Sequence, residues 1–102
     1  METIIRERHA EMLRSAYLFA RGERLAELRG QRYHKYDGRG LHTLSMIWGE
    51  VQACELLVPG LVSPSPVEIR QRAQAEARSM FIREVITQST EEAGNAQEPM
   101  AG

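Results

Sequence analysis

The side chains that could do chemistry in this 102-residue chain are three histidines, one cysteine, and a set of serines and carboxylates. His9 is followed by Ala10-Glu11 rather than by a glutamate and a second histidine four residues on, so the helical zinc-hydrolase pattern is not formed. Its place on an apolar helical face reads as a histidine at the edge of a core. His34 and His42 flank Asp37, and three such groups can hold a metal, but their spacings of three and five residues match no rigid ligand template. Cys54 falls within an apolar stripe, where a thiol behaves as a small hydrophobe, and no histidine is placed locally to deprotonate it. Ser45 and Ser65 lack a nucleophile elbow, and no glycine pattern follows a strand to cradle phosphate. Glu7, Glu11, Glu23 and Glu27 alternate with arginines as they do on a solvated helix surface. The expectation is a protein without catalytic residues, metal or cofactor.

Binding chemistry is better represented. Arg29, Arg32, Tyr33, His34, Lys35, Tyr36 and Arg39 interleave cations with rings that stack, opposed only by Asp37. A phosphate backbone with exposed bases would meet such a segment well, which makes it the candidate nucleic-acid contact. The competing reading folds the tyrosines back and pairs the arginines with the chain's glutamates. Arg70, Gln71, Arg72, Gln74 and Arg78 offer a second basic face further on. A helix-turn-helix built across residues 50 to 72 would need a turn of three or four residues, and Pro59-Gly60-Leu61-Val62-Ser63-Pro64-Ser65-Pro66 is too long for one.

A formal net charge of −1 gives no global pull toward nucleic acid or an anionic membrane. One cysteine excludes an internal disulfide and suits a reducing compartment. No apolar run approaches the ~20 residues that span a bilayer. The opening Met1-Glu2-Thr3-Ile4-Ile5-Arg6 lacks the basic-then-apolar order of a signal peptide, so a cytoplasmic location is expected.

The elements that must position these residues are helical. Ile5, His9, Met12, Leu13, Ala16, Phe19 and Ala20 recur at helical spacing, giving a first helix from about residue 3 to 21. Gly22 weakens it, and the apolar set then rotates to Leu25 and Leu28, which predicts a kink or a separate short helix before a stop at Gly30. Residues 30–40 hold three glycines and read as a loop. The second helix, about residues 41 to 58, carries Leu44, Ile47, Val51, Cys54 and Val58 on one side, with Trp48 at the edge. Met46, Ala53 and Leu57 lie on another, and a helix apolar on two sides is expected to be buried on two sides, at the centre of the fold. Pro59-Gly60 ends it.

The third helix opens with Ser65 as N-cap, Pro66 at the first position and Glu68 completing a capping box. Ile69, Ala73, Ala77 and Met80 line one face, small enough for a neighbouring helix to come close. Phe81, Ile82, Val85 and Ile86 then surround the axis. From residue 89 the apolar period stops, so 1–88 is expected as the single helical domain and 89–102 as a disordered tail. The fold class is therefore all-α, an antiparallel three-helix bundle with a kinked first helix. Its apolar surface exceeds what about 85 ordered residues can cover, so it is expected to dimerise.

His42, Met46 and the apolar close of the second helix, Leu56-Leu57-Val58-Pro59-Gly60-Leu61-Val62, carry a resemblance to the small all-helical quorum-sensing antiactivators of Gram-negative bacteria. The Ala-rich third helix departs from that pattern. The resemblance implies a dimer that traps a LuxR-type transcription factor through helical surfaces. On residues alone, the expected function is a small non-enzymatic regulator that binds and inhibits a protein partner. Its candidate anchors are Met46, Trp48, Leu57, Phe81, Ile82 and Ile86. A nucleic-acid-binding regulator using residues 29–39 or the third helix is the alternative.

Overall fold

The computed structural model describes residues 1–31 and 39–101, with side chains described for 1–31 and 43–91. It contains three helices, α1 (Glu2–Leu28), α2 (Arg39–Leu57) and α3 (Pro66–Ala101), and no strand among the described residues. Successive helices are antiparallel, as the ties between them show. Arg8 meets Glu50 at 2.9 Å and His9 meets Glu55 at 3.4 Å, while Ala16 and Ala20 lie beside Leu44 and Trp48. Arg21 pairs with Glu76 at 2.7 Å and Arg29 pairs with Glu84, an equal step of eight along both helices, so α1 and α3 run in the same direction.

The helix at the centre is α1, not α2. Both α2 and α3 pack on α1, and they approach each other where Leu44 and Trp48 face Pro66 and Ile69. The expectation that α2 is buried on two sides is thus corrected. Val51, Cys54 and Val58 are buried against α1, whereas Met46, Ala53, Leu56 and Leu57 are exposed. Counting apolar sides cannot tell a helix enclosed by two neighbours from one whose second side stays open. The wrapped helix is instead α1, whose buried residues are His9 and Ala16 in one part and Leu25 and Ala26 on a rotated side near its end. That rotation is the signal that predicted a kink or break. The structure keeps 2–28 as one helix through Gly22, because two neighbours on different sides use different stripes of one continuous rod.

The ends obey local rules. Arg29 caps α1, Gly30 has φ +74°, the amide of Gly30 donates to the Glu27 carbonyl and that of Gln31 to the Ala26 carbonyl, which is a Schellman closure. Leu61 donates to the Val58 carbonyl around Pro59 and Gly60 (φ +85°), the type II turn that Pro-Gly favours. At the start of α3 the Ser65 hydroxyl accepts from the Glu68 amide at 3.2 Å. The other half of the predicted box is replaced, since the Glu68 carboxylate lies 3.6 Å from Arg72. Ser65→Ala should therefore cost about 1 kcal/mol, read as a fall of a few degrees in Tm by circular dichroism. An unchanged Tm would show that the cap contributes nothing.

Between α1 and α3 the seam is made of small side chains, with Ala16, Ala73 and Ala77 almost wholly enclosed. Close approach at alanines leaves little apolar volume inside. Among the described residues the largest side chain fully removed from solvent is Val51. The resulting body is long, 68 × 31 × 20 Å. Its long axis follows from α3, whose 36 residues at 1.5 Å each make a rod of about 54 Å. Because Glu84 already sits level with the end of α1, the rest of α3 projects beyond it. The helix runs to Ala101, through helix-favouring residues such as Glu91, Glu92 and Ala93 past the point where the apolar period stops.

Candidate protein-interaction surfaces

The six candidate anchors do not form one patch. Met46 and Leu57 share the side of α2 that faces away from α1, where they are 59% and 67% exposed, joined by Gly49, Ala53 and Leu56. At about 100° per residue this strip lies half a turn of the wheel from Val51 and Cys54. It contains no charged residue, since Glu50 and Gln52 fall to either side. Leu56, more exposed than either predicted anchor, was the signal missed; it falls on the outer arc once Val51 and Val58 are known to be buried.

Ile82 and Ile86 lie on the far side of α3, with Val85 beside them, across the helix from the Ile69, Ala73 and Ala77 seam. Their arc is about 100° wide, the width of a helical contact face. No other helix packs there: α2 sits on α1, and α1 ends level with Glu84. Trp48 and Phe81 are only half-buried. Trp48 lines a small gap where the three helices meet, together with Ala16, Ala20, Leu44, Pro66 and Ile69. It also forms one wall of an open hollow of about 400 Å³ under the α2–α3 link.

Of the basic-aromatic candidates, Arg32, Tyr33, Lys35 and Tyr36 lie outside the described residues, and Arg39 begins α2 with its side chain outside them. Arg29 is committed elsewhere: it holds Glu84 with two guanidinium nitrogens, tying the end of α1 to α3. The hydrogen bond from Arg29, reinforced by its charge, holds the Glu84 carboxyl below the ordinary value of 4.5. The same hydrogen bond raises Arg29, which stays charged. A carboxyl lowered in the folded state stabilises above its unfolded pKa and loses that contribution as pH falls through the folded value. Glu84 should therefore titrate below the ordinary glutamate value in a carbon-detected NMR series, and Arg29→Gln should raise it. A Glu84 titration that Arg29→Gln leaves unchanged would contradict the tie.

His9 is buried and its ring faces the Glu55 carboxylate, which also accepts from the Ser63 hydroxyl at 2.8 Å. The carboxylate stands between serine and histidine, so the Ser63 hydroxyl is held by Glu55 and not by the His9 ring, and the three residues tie α1, α2 and the following link together. Tyr17 and Arg21 both donate to Glu76 across the α1–α3 seam. Cys54 is buried. Among the described residues no cluster of histidine, cysteine and carboxylates has the arrangement of a metal site, and no helix is long and apolar enough to cross a membrane. An open mixed-charge cleft of about 610 Å³ is lined by Arg21 of α1 and by Glu76, Met80, Arg83, Glu84 and Gln88 of α3. Comparison with protein-family models, with curated proteins and with solved structures finds no match to this chain.

Proposed function

We propose that this protein is a non-enzymatic regulator that captures a partner protein on its exposed helical faces and thereby inhibits it. The observation that carries this reading is the placement of Ile82, Val85 and Ile86 on the far side of α3, beyond reach of the rest of the bundle. Among the described residues no other helix of the chain covers this isoleucine pair, so docking of another molecule would bury it. Apolar anchors recurring at three and four residues are how a helix seats in the groove of a partner. The resemblance around Met46 and Leu56–Val62 nominates a LuxR-type transcriptional activator as that partner, held away from its DNA or from its own dimer.

Affinity capture from a bacterial lysate on the tagged chain tests this, with Ile82→Arg as the parallel bait and identification by mass spectrometry. A regulator retained by the native chain in high salt and lost on the variant supports the proposal. Recovery of nucleic acid alone, released as salt rises, would replace it with a phosphate-binding role. A purified activator that binds its operator equally well with and without the chain would remove the antiactivator assignment.

A further inference from the structure

Trp48, Gln52 and Glu55 follow one another along α2 at steps of four and three, so at about 100° per residue they fall within about 60° of one another on the helix. All three line the hollow of about 400 Å³ beneath the α2–α3 link. We infer that this hollow is a recognition site for the guanidinium of an arginine side chain carried by another polypeptide. The site stands apart from the α3 face and does not rest on capture there.

Glu55 supplies the charge. Its two internal contacts fall on one oxygen: the Ser63 hydroxyl donates to Oε1 at 2.8 Å, and the His9 ring Nε2 lies 3.4 Å from that same atom. Oε2 has no partner among the described residues, and the side chain is partly exposed at the hollow. The serine and the histidine thus hold the carboxylate in place while leaving one oxygen to accept from outside. Among the described residues of the lining Glu55 is the one ionisable group, so no neighbouring cation in the hollow cancels it. It stands in the last turn of α2, where the carbonyls add negative partial charge. At the start of α3 the Glu68 amide is already taken by the Ser65 hydroxyl.

Trp48 and Gln52 select the shape of the cation. A guanidinium is flat, donates in a fork and stacks on aromatic rings, whereas an ammonium is a compact point charge. The indole of Trp48 offers the ring, and the amide oxygen of Gln52, one turn before Glu55, offers a second acceptor. Leu61, Val62, Pro64 and Pro66 complete the walls with apolar surface, which suits the methylene stem of an arginine. The same lining holds no cation to receive the carboxylate of a free amino acid, and this favours an arginine within a chain.

Trp48 is the chain's one tryptophan, so its fluorescence reports on the hollow directly. Titration of the full chain with the blocked peptide acetyl-Gly-Arg-Gly-amide should shift that emission saturably at millimolar concentration. The same peptide with neutral citrulline in place of arginine should bind at least ~10-fold more weakly, the loss of one charge-assisted hydrogen bond. Glu55→Gln keeps an acceptor for Ser63, should retain its helical circular dichroism, and should weaken the arginine peptide by about 10-fold. Gln52→Arg, at an exposed position, places a tethered guanidinium at the hollow and should abolish the response, an independent reading if Glu55→Gln loses helix. Ile82→Arg should bind the peptide as the native chain does. A native chain without a saturable response, equal binding of the citrulline peptide, unchanged affinity in the folded Glu55 or Gln52 variants, or loss of binding in Ile82→Arg would each overturn the inference. Free arginine binding as tightly as the blocked peptide would overturn the assignment to a polypeptide.

Discussion

Val51→Asp is expected to leave most of the chain unfolded at 25 °C. Among the described residues Val51 is the one large side chain wholly enclosed, pressed between α2 and α1, and the rest of the core consists mainly of alanines, Cys54, Val58, Leu25 and Ile69 at its edges. A domain of this length has on the order of 5 kcal/mol of stability at the low end of the usual range. An unpaired charge in a buried site costs about 3–5 kcal/mol, and the lost apolar contact adds to it, so the two together consume that reserve. Val51→Ala removes only the contact and should cost about 2 kcal/mol. Thermal melts followed at 222 nm separate the two: a residual shallow transition for aspartate, a cooperative but earlier one for alanine. If Val51→Asp melts like the native chain, Val51 is not enclosed and the packing of α2 on α1 is wrong.

The second large effect is on binding rather than folding. Ile82 and Ile86 are 47% and 59% exposed, so replacing both by arginine should change stability by no more than about 0.5 kcal/mol. As central anchors they should each contribute about 2 kcal/mol or more to a docked complex, and the double variant should bind the captured partner at least ~100-fold more weakly, by about 3 kcal/mol. Titration calorimetry on the partner identified by capture gives the number. Equal affinity for native and double-variant chains would show that the partner docks elsewhere.

These two predictions divide along the line that separates what the sequence reveals from what it withholds. Helix limits are local matters, and Gly30, Pro59-Gly60 and Ser65-Pro66 each mark one by a backbone rule that needs no neighbour. The Ala73 and Ala77 spacing likewise announces a close helix seam. Which helix completes that seam is not local. Met46 and Leu57 are as apolar as Val51, and nothing in their spacing says that one side of α2 meets α1 while the other meets nothing. The rotation of the stripe at Leu25 carried the decisive clue, because a helix packed by different neighbours at its two ends shifts its apolar side as a kinked one does. Trp48 is expected as an anchor because tryptophan so often is one, and nothing in its spacing says that it is half-buried and lines a gap at the junction of its own three helices. Arg29 belonged to a basic run on paper, and a glutamate 55 residues away removes it from that run.

The length of α3 past Glu84 has a kinetic meaning. Backbone amides between Val85 and Glu91 are shielded by the ladder of a single rod, so they should trade their hydrogens for deuterium through brief local fraying, while those near Ala73 and Ala77 wait for the whole domain to open. One helix thus holds a durable half and a restless half. A molecule that clasps Ile82 and Ile86 would quiet the second without altering the first.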